Sequence, residues 1–463
     1  MSQKPYWLAA ALAVDANPPL PPLHGKLAAD ICIIGGGFTG LWTAIMCKQA
    51  RPDWHIVVLE KARCGSGASG RNGGCMLTWS TKYLSLRRLY GEAEALRLVS
   101  ASEQAVFDIA GFCQQHGIDA EIRLGGALYA ASNPAQRGTL SSVLSALDKV
   151  GRNRWQPLDT AATQALAGSA LMHDGAYSEA AGSLQPGKLV RGLLRVARTL
   201  GVEVYEHSAM TRLQEDRQVF VHTATGQVQA DQVVLALNAD MARQFPVFAN
   251  SVLLVSSDMI ITEPQPDIVE QLGLARGQAV CDLRTFVHYW RSTPDGRLML
   301  GKGGNRIAFG NQMHAYFDRP SAYCGQLQQV LGRFFPALSA APITQSWTGA
   351  SDRSATGFPF FGKLPGHQRV LYGFGYSGNG VVQCHLGGKI LSSLLLEQDN
   401  PWTRSRLVQG PLAQFPPEPL RWGGAMLVRG AIRRVENAQD HQRTPYKLDQ
   451  KLAALASMAG KAD

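Results

Sequence analysis

Three glycines near the start of the chain have the spacing of a phosphate-binding turn. Gly35, Gly37 and Gly40 form the pattern G-x-G-x-x-G. An uncharged apolar run, residues 31–34, precedes them, and a stretch of helical character, residues 41–50, follows. In such a turn the backbone approaches a pyrophosphate closely, and the helix N-terminus offers free N–H groups and a positive dipole end. The stretch therefore predicts a dinucleotide-binding βαβ unit.

A carboxylate follows where the ribose of such a dinucleotide is expected. The apolar run 55–59 predicts a second parallel strand, and Glu60 stands directly after it, twenty residues beyond Gly40. A carboxylate at this point accepts hydrogen bonds from both ribose hydroxyls of an adenosine and repels a 2′-phosphate. The alternative is a glycine-rich turn with a chance acid. It does not explain why strand, glycines, helix, strand and acid occur in this order.

A loop rich in glycine and serine, residues 61–74, comes directly after Glu60 and contains the motif S-G-R-N-G-G at 69–74. At the carboxyl end of a strand such a loop would run along the same dinucleotide and expose many backbone N–H groups to it. The motif resembles the second glycine-rich stretch of the D-amino-acid-oxidase-like family of flavoproteins. The resemblance implies that the dinucleotide is FAD rather than NAD. The alternative is a flexible surface linker.

The resemblance covers about residues 5–435. The stretch RNGGCMLTWSTKYLSLRRLYG, residues 71–91, is most similar to the γ-glutamylputrescine oxidase and aminophosphonate oxidoreductase branches of that family. It implies an α/β fold of glutathione-reductase type, with a Rossmann-like FAD-binding domain and an antiparallel β-sheet substrate domain. The expected bounds are an N-terminal arm at 1–28, an FAD-binding domain at 29–85, 165–245 and 340–398, a substrate domain at 86–164 and 246–339, and a C-terminal extension at 399–463.

A second glycine-rich helix start lies near residue 380. Residues 371–380 combine an apolar run with a glycine cluster, and an apolar helical stretch, 381–395, follows. In the resembled family this segment delivers a helix N-terminus to the flavin pyrimidine, where negative charge gathers on reduction. The FAD contacts implied by the two segments and the resemblance are Gly35, Gly37, Phe38, Thr39, Gly40, Glu60, Lys61, Ser69, Gly70, Arg71, Asn72, Gly73, Met210, Asn238, Gly349, Gly375, Gly378, Asn379, Gly380 and Val381.

The substrate pocket is expected on the β-rich stretch 251–335. Alternation along the run 286–291 places Tyr289 and Arg291 on one face of a strand. A phenol and a guanidinium suit an anionic substrate, so this face is predicted to look towards the flavin. The alternative is that Arg291 is a surface cation and Tyr289 ordinary packing. The predicted substrate contacts are Tyr289, Arg291, Arg284 and Tyr376.

The resemblance also implies a reaction, the oxidation of the C–N bond of a small amine. A hydride passes from the carbon beside a neutral amine to flavin N5, and the imine is hydrolysed to an aldehyde or keto acid plus an amine. The expected substrate carries an anionic group, as an aminoalkylphosphonate or an amino acid does. The alternative is γ-glutamylputrescine or another polyamine. The electron acceptor, oxygen or another compound, and the oligomeric state stay open, and no dedicated acid or base is evident.

Charge and composition narrow the partners. The 463 residues carry a formal net charge of +10, which could attract nucleic acid, an anionic membrane surface or a small anionic substrate. The arginines are spread along the chain, so nucleic acid is not the expected partner. No apolar run reaches the length of about 18 residues that predicts a membrane span. Two alternatives of other classes are a non-catalytic flavin-binding subunit and a nucleic-acid-binding flavoprotein.

Cysteine use and the termini suggest a location. The eight cysteines include no C-x-x-C pair, so neither a zinc site nor a disulfide framework is expected, and a reducing cytoplasm fits. Cys75, beside Gly74, is the cysteine that could hold the flavin covalently. The apolar segment 6–14 is interpreted as an arm lying across the domain, with a weak signal peptide as the alternative. The basic C-terminal extension is expected to pack on the body rather than bind a membrane surface.

Overall fold

The computed structural model describes residues 4–15, 18–456 and 463. Within those residues the chain forms eighteen β-strands and thirteen α-helices. The strands are β1 (Gly25–Ile34), β2 (Ile56–Leu59), β3 (Cys75–Met76), β4 (Ala127–Ala130), β5 (Gln156–Leu158), β6 (Gly175–Ser178), β7 (Gly182–Ser183), β8 (Glu203–Tyr205), β9 (Arg212–Glu215), β10 (Val219–His222), β11 (Gly226–Leu235), β12 (Val252–Thr262), β13 (Ala279–Asp282), β14 (His288–Ser292), β15 (Leu298–Ile307), β16 (Ile343–Ser354), β17 (Phe360–Lys363) and β18 (Val370–Phe374). The helices are α1 (Tyr6–Ala13), α2 (Phe38–Ala50), α3 (Tyr83–Tyr90), α4 (Glu92–Gln115), α5 (Ser141–Lys149), α6 (Thr160–Ala167), α7 (Pro186–Thr199), α8 (Met241–Gln244), α9 (Pro266–Gln271), α10 (Cys324–Phe334), α11 (Gly380–Leu395), α12 (Leu420–Asp440) and α13 (Lys447–Ala454).

The first sheet is mainly parallel and is built around β1. Its strand order is β17-β18-β11-β1-β2-β8, and β10 and β9 extend it from β11. In the parallel ladders Ile33 of β1 lies opposite Val234 of β11 and Val58 of β2. Because β1 is central, both of its faces are covered: Ile33 belongs to one core cluster, and Cys32 and Ile34 belong to another. Burial on both faces explains why its apolar run does not alternate.

Helices cover one face of the first sheet. α2 packs against α11 and α7, and α1 packs against α7. Small residues allow these close approaches: a Cβ on Gly388 of α11 would lie 2.6 Å from Trp42 Cβ, and a Cβ on Gly187 of α7 would lie 2.2 Å from the Trp7 carbonyl oxygen. Trp7 is buried, so the N-terminal segment is part of the packed body.

The second sheet has the order β16-β12-β15-β14-β13-β4-β6-β5 and is antiparallel except for the β13–β4 pair. α10 covers its outer face, where Leu331 and Phe334 join the core cluster that contains Trp290. The Trp290 indole N–H donates to the Ala167 carbonyl at 3.0 Å. Because side chains alternate along β14, Tyr289 points to the opposite face, towards the first sheet.

The fold brings four chain segments to one edge of the first sheet. β1, β2, β11 and β18 are parallel, so the residues that follow them emerge at the same carboxyl edge. These residues are Gly35 after β1, Glu60 after β2, Ala236 after β11 and Gly375 after β18. The two glycine-rich helix starts, about 340 residues apart in the chain, thereby lie at one edge.

Several elements differ from those expected from the sequence. Local sequence patterns predict a helix over 133–150 and two strands over 227–229 and 231–238, whereas the structure has the shorter helix α5 and the single strand β11. β6 and β16 are both strands of the second sheet, although the expected bounds place the segments that contain them, 165–245 and 340–398, in the FAD-binding domain. Backbone pairing, which a local pattern does not specify, decides these memberships.

The C-terminal extension packs on the body. α12, which the sequence analysis did not anticipate, lies across the second sheet, where Arg429 Nε donates to the Gly304 carbonyl at 2.9 Å. Arg434 of α12 pairs with Asp449 of α13 at 2.7 Å. The alanine-rich stretch 448–458 predicts a final helix, which corresponds to α13; residues 457 and 458 lie outside the described residues. None of the helices in the described ranges has the length and apolarity needed to cross a membrane.

Candidate flavin and substrate site

A cavity of about 720 Å³ lies between the carboxyl edge of the first sheet and the inner face of the second. This volume is in the range of small-molecule and cofactor sites, roughly 300–1,000 Å³. Glu60, Met210 and Asp240 line it on the side of the first sheet, and Cys281 and Tyr289 line it on the side of the second. The cavity therefore has a wall of glycine-rich turns and a wall of strand side chains.

The first glycine turn is closed so tightly that side chains do not fit. A Cβ on Gly35 would lie 2.4 Å from the Ala236 carbonyl oxygen, and a Cβ on Gly40 would lie 2.0 Å from the Gly35 carbonyl oxygen. Gly37 lines the cavity, and the next amide, of Phe38, donates to Ser69 Oγ at 2.9 Å. Gly40 itself does not line the cavity; it allows α2 to pack on β1. The turn thus leaves its open side to a ligand at the α2 N-terminus.

Glu60 holds its carboxylate at this turn. The carboxylate is buried and accepts hydrogen bonds from the amides of Gly36 and Ala62, both at 2.9 Å. Burial raises the pKa of Glu60, and the two amides act against that rise. Each carboxylate oxygen keeps a free lone pair, so the group can still accept hydrogen bonds from ribose hydroxyls in the cavity.

The loop 61–74 is held in place by its own side chains rather than being a flexible linker. Asn72 Nδ2 donates to the carbonyls of Ala68 and Ser69 at 3.1 and 3.0 Å, and Asn72 Oδ1 accepts from the Gly74 amide at 2.8 Å. Arg71 pairs with Asp318 at 2.7 Å, so its charge is used within the protein. The loop backbone is thereby fixed along the cavity. Lys61, Ser69 and Gly73, which are also predicted FAD contacts on this loop, line the cavity. Gly70, another predicted contact, does not line it.

A buried carboxylate that the sequence analysis missed shapes the second glycine turn. Asp352 lines the cavity and accepts a hydrogen bond from the Gly375 amide at 2.5 Å. Burial raises the pKa of Asp352 to about 7, against backbone hydrogen bonds from the turn 375–377 that lower it. Gly375, at φ 85°, is behind the cavity wall. The turn presents the start of α11 to the cavity through Gly378, Asn379, Gly380 and Val381.

An unsatisfied polar atom also marks the cavity as a ligand site. Asn238 lines the cavity at a positive φ of 50°, and no donor among the described residues reaches its buried Oδ1. Buried acceptors without partners are uncommon, so this atom suits a ligand that supplies a donor. Met210 and Gly349 line the same cavity. The glycine turns, Glu60 and Asn238 therefore fit an FAD molecule.

Tyr289 is positioned at the wall formed by the second sheet. Its hydroxyl shares a hydrogen bond with Ser257 Oγ at 2.8 Å, and burial raises its pKa, so the phenol stays neutral. A Cβ on Gly301 would lie 2.2 Å from the ring, which shows how closely the neighbouring strand supports it. Cys281 and Val287 line the cavity beside it. This wall therefore combines apolar side chains with hydroxyl groups, including those of Tyr289 and Ser257.

Two predicted substrate contacts require correction, because neither arginine lines the cavity. Arg291 is buried, donates to the carbonyls of Gly73 and Leu184 at 2.7 Å each, and stacks on the Trp7 ring. Burial lowers its pKa to about 10. Arg284 is paired with Asp282 at 3.0 Å and with Asp440 at 2.5 Å. Both guanidinium groups tie elements of the protein together.

Tyr376 lines the cavity, and its hydroxyl lies between α2 and α11. The hydroxyl accepts a hydrogen bond from Thr39 Oγ1 at 2.9 Å and lies against Gly387 of α11, where a Cβ would come within 2.3 Å of it. Burial raises the pKa of Tyr376 well above its usual value. The phenol therefore connects the start of α2 with the middle of α11, and the predicted substrate contact of Tyr376 stays a prediction.

A cation that the sequence analysis missed does line the cavity. Arg353, at the end of β16, is next to Asp352 and forms an isolated bridge with the backbone of Tyr376. Burial lowers its pKa. The sequence contains a signal for Asp352 and Arg353, because they are the only charged residues in the stretch 343–362.

The two-sheet fold and the cavity with two glycine-turn helix starts define a flavoprotein oxidoreductase. The chain belongs to the DAO family, described as FAD dependent oxidoreductases, whose family model matches residues 30–394. The predicted fold class and FAD as cofactor are thus confirmed. The protein is an FAD-dependent amine or amino-acid oxidoreductase, which acts on a small-molecule amine and an oxidant.

Relatives and solved structures agree with this family. The chain is 30% identical over 387 residues to gamma-glutamylputrescine oxidoreductase of Escherichia coli strain K12, covering 83% of this chain and 88% of the relative. It is 29% identical over 389 residues to the probable oxidoreductase OrdL of Rhizobium meliloti, covering 83% and 86%. Glycine oxidase from Geobacillus kaustophilus has the same fold, with a TM-score of 0.69 at 19% identity over 84% of this chain and 100% of that one.

Proposed function

We propose that this enzyme oxidises the C–N bond of a small amine that also carries an anionic group, such as an aminoalkylphosphonate or an amino acid. The observation that supports this is Arg353, a cation in the wall of the cavity that also contains Tyr289. A guanidinium binds a carboxylate or phosphonate through two parallel hydrogen bonds. Arg353 takes over the role that the sequence assigned to Arg291 and Arg284.

The other residues of this wall prepare the amine. Cys281, Val287 and Leu77 give the cavity apolar surface, which disfavours the charged form of an amine and so favours the neutral form that is oxidised. The neutral hydroxyl of Tyr289 can accept or donate a hydrogen bond to the substrate and fix its orientation. FAD, when bound, supplies the acceptor for the hydride, and the imine product is hydrolysed by water.

A second candidate substrate is γ-glutamylputrescine. The relative from Escherichia coli that bears this activity in its name matches most of both chains. γ-Glutamylputrescine has a primary amine at one end and an amino-acid head at the other, so it also presents an anionic group. The two candidates therefore share the same two requirements, an amine at the flavin and an anion held by a cation, and differ in length.

The test is reduction of the bound flavin without oxygen. The purified holoenzyme is mixed with 2-aminoethylphosphonate, glycine, γ-glutamylputrescine or propylamine. The absorbance is followed at about 450 nm, where oxidised flavin absorbs. We expect rapid bleaching by an anionic small amine and slower bleaching by propylamine. Bleaching by γ-glutamylputrescine alone would select the second candidate. If no amine bleaches the flavin, the proposed function is wrong and a non-catalytic flavin-binding role gains support.

A further inference from the structure

A second cavity, of about 390 Å³, lies on the outer face of the second sheet. Its walls are α10, α12 and the strands β14 and β15, and we call it the outer cavity. His288 of β14 lines it, whereas the next residue, Tyr289, lines the flavin cavity. α12 lies beyond residues 30–394, which the family model matches, so the C-terminal extension supplies one wall. The outer cavity is therefore distinct from the flavin site and has the volume of a small-molecule site.

Two opposite charges face the outer cavity without forming an ion pair. Lys302 of β15 and Glu436 of α12 both line it, and among the residues that the structure describes neither side chain has an ion-pair partner. Lys302 Nζ donates to the Phe286 carbonyl at 3.0 Å, and the Phe286 amide donates to Glu436 Oε1 at 3.5 Å. Each group uses one hydrogen bond, although an ammonium and a carboxylate can each make several. Both groups therefore keep hydrogen-bonding capacity for a ligand.

The surroundings make both charges costly. Burial lowers the pKa of Lys302 and raises the pKa of Glu436, and the attraction between the two groups acts against both shifts. Charged groups that are withdrawn from water are stabilised by hydrogen-bonded partners of opposite charge. A ligand that brings a carboxylate or phosphonate to Lys302 and an ammonium to Glu436 would compensate both groups at once.

A further cation supports the acidic end of such a ligand. Arg433 lies one turn before Glu436 on α12, is exposed, and makes one long contact, from Nη2 to Asn305 Oδ1 at 3.4 Å. Two other cations of the outer cavity, Arg333 and Arg284, are instead paired with Asp440. Arg433 is thus the second cation that is available to an anion.

We propose that the outer cavity binds a small zwitterion, an amino acid or an aminoalkylphosphonate, with its acidic group at Lys302 and Arg433 and its ammonium at Glu436. Such a ligand bridges the second sheet and α12 and so fastens the C-terminal extension to the body. The inference does not depend on the proposed oxidation, because the outer cavity lies on the other face of the sheet from the flavin cavity.

Binding of a zwitterion that cannot be oxidised tests the outer cavity. The probe is 2-aminoisobutyrate, in which the carbon beside the amine carries no hydrogen, so no hydride can leave. Equilibrium dialysis against the holoenzyme counts the bound probe, and the flavin absorbance reports separately on probe in the flavin cavity. We expect Lys302→Met and Glu436→Gln each to weaken binding outside the flavin cavity about tenfold, since each removes a charge-assisted hydrogen bond. The response of the flavin absorbance should stay unchanged.

Lys363→Met and Glu270→Gln are the matched controls, because they remove the same charges from exposed positions outside the outer cavity. Both should bind the probe like the unchanged protein. Arg433→Met alters an exposed side chain and is not expected to disturb the fold; it should weaken binding several-fold, and it decides the matter if Lys302→Met does not fold. Equal affinity in all variants and the unchanged protein would overturn the inference.

Ligands with a single charge test whether both ends are recognised. Acetate and methylammonium should each bind outside the flavin cavity about tenfold more weakly than 2-aminoisobutyrate. Acetate that binds as tightly as the probe, in a protein indifferent to Glu436→Gln, would show a plain anion site and contradict the zwitterion.

The two proposals fail separately. Probe binding that depends on Lys302 and Glu436, in a protein whose flavin no amine reduces, would keep the outer cavity as a zwitterion site and refute the proposed function. Amine oxidation in a protein that binds the probe only in the flavin cavity would keep the proposed function and refute the outer site.

Discussion

The two walls of the cavity are built in different ways. The wall towards the first sheet consists of backbone turns, in which a Cβ on Gly35 or Gly40 would lie 2.4 or 2.0 Å from a carbonyl oxygen, so that no side chain fits. The wall towards the second sheet consists of side chains on separate strands, Tyr289 on β14 and Arg353 on β16. On the proposed assignment, the cofactor meets mainly backbone geometry and the substrate meets mainly side-chain chemistry. Substitutions on the two walls should therefore have different consequences.

The largest expected effect is on the backbone wall. Gly40→Ala introduces a Cβ that would lie 2.0 Å from the Gly35 carbonyl oxygen, so the first turn and α2 must separate. We expect the protein to lose most of its flavin and to be destabilised by about 2–4 kcal/mol. The ratio of flavin to protein absorbance and the thermal unfolding midpoint measure these effects.

Gly111→Ala is the control for that variant. Gly111 lies on α4, does not line the cavity, and a Cβ there would have nothing within 4 Å. The variant should retain flavin and stability. Equal flavin loss in both variants would show that the loss does not come from the closeness of the turn at Gly40.

The second prediction concerns the carboxylate of Glu60 on the backbone wall. Glu60→Gln replaces the acceptor oxygens that meet the amides of Gly36 and Ala62 with a group that accepts at one end only. We expect FAD to bind about ten- to a hundredfold more weakly, as for the loss of charge-assisted hydrogen bonds. Flavin release on dilution measures this. Glu203→Gln, at the partly exposed end of β8, is the control and should bind FAD normally.

The third prediction sharpens the contrast, because it should spare the flavin. Arg353→Met removes the cation from the side-chain wall, and we expect kcat/KM for an anionic amine to fall about tenfold relative to that for propylamine. Flavin content should stay near that of the unchanged protein. Arg404→Met, at an exposed position, serves as the control. A parallel fall for both amines would argue against an anion-binding role of Arg353.

The last prediction concerns the pH dependence of stability through Asp352. Burial raises the pKa of this carboxyl to about 7 in the folded protein, whereas its pKa in the unfolded chain is about 3.9. Between these values the folded state binds more protons, so this group lowers the free energy of unfolding as pH rises and its penalty is complete above the folded pKa.

Asp352→Asn removes the titration but keeps an oxygen that can accept from the Gly375 amide. Relative to the unchanged protein, the variant should gain stability between about pH 5 and about pH 8, by up to a few kcal/mol. Urea unfolding of the holoenzyme at both pH values measures the difference. A variant whose stability changes with pH in parallel with the unchanged protein would show that the carboxyl does not titrate in this range.

Local sequence patterns are sufficient to predict the main residues of the backbone wall. Gly35, Gly37, Gly40 and Glu60 lie within 26 residues, and strand, turn, helix and strand are local patterns with one physical solution. The same holds for the helix start at Gly380, because glycines and a following apolar helix are again contiguous. The family resemblance, carried by residues 69–74, added the choice of FAD.

Which side chains form the side-chain wall depends on the pairing and packing of distant strands, which the tertiary structure shows. Alternation placed Tyr289 and Arg291 on one face of β14. Two residues along a strand are about 7 Å apart. Over this distance Tyr289 lies at the cavity, whereas Arg291 is buried against the carbonyls of Gly73 and Leu184. Arg353 reaches the cavity from another strand of the same sheet. Which charge faces the substrate depends on how strands pair and pack, and that information is not contained in any short stretch of sequence.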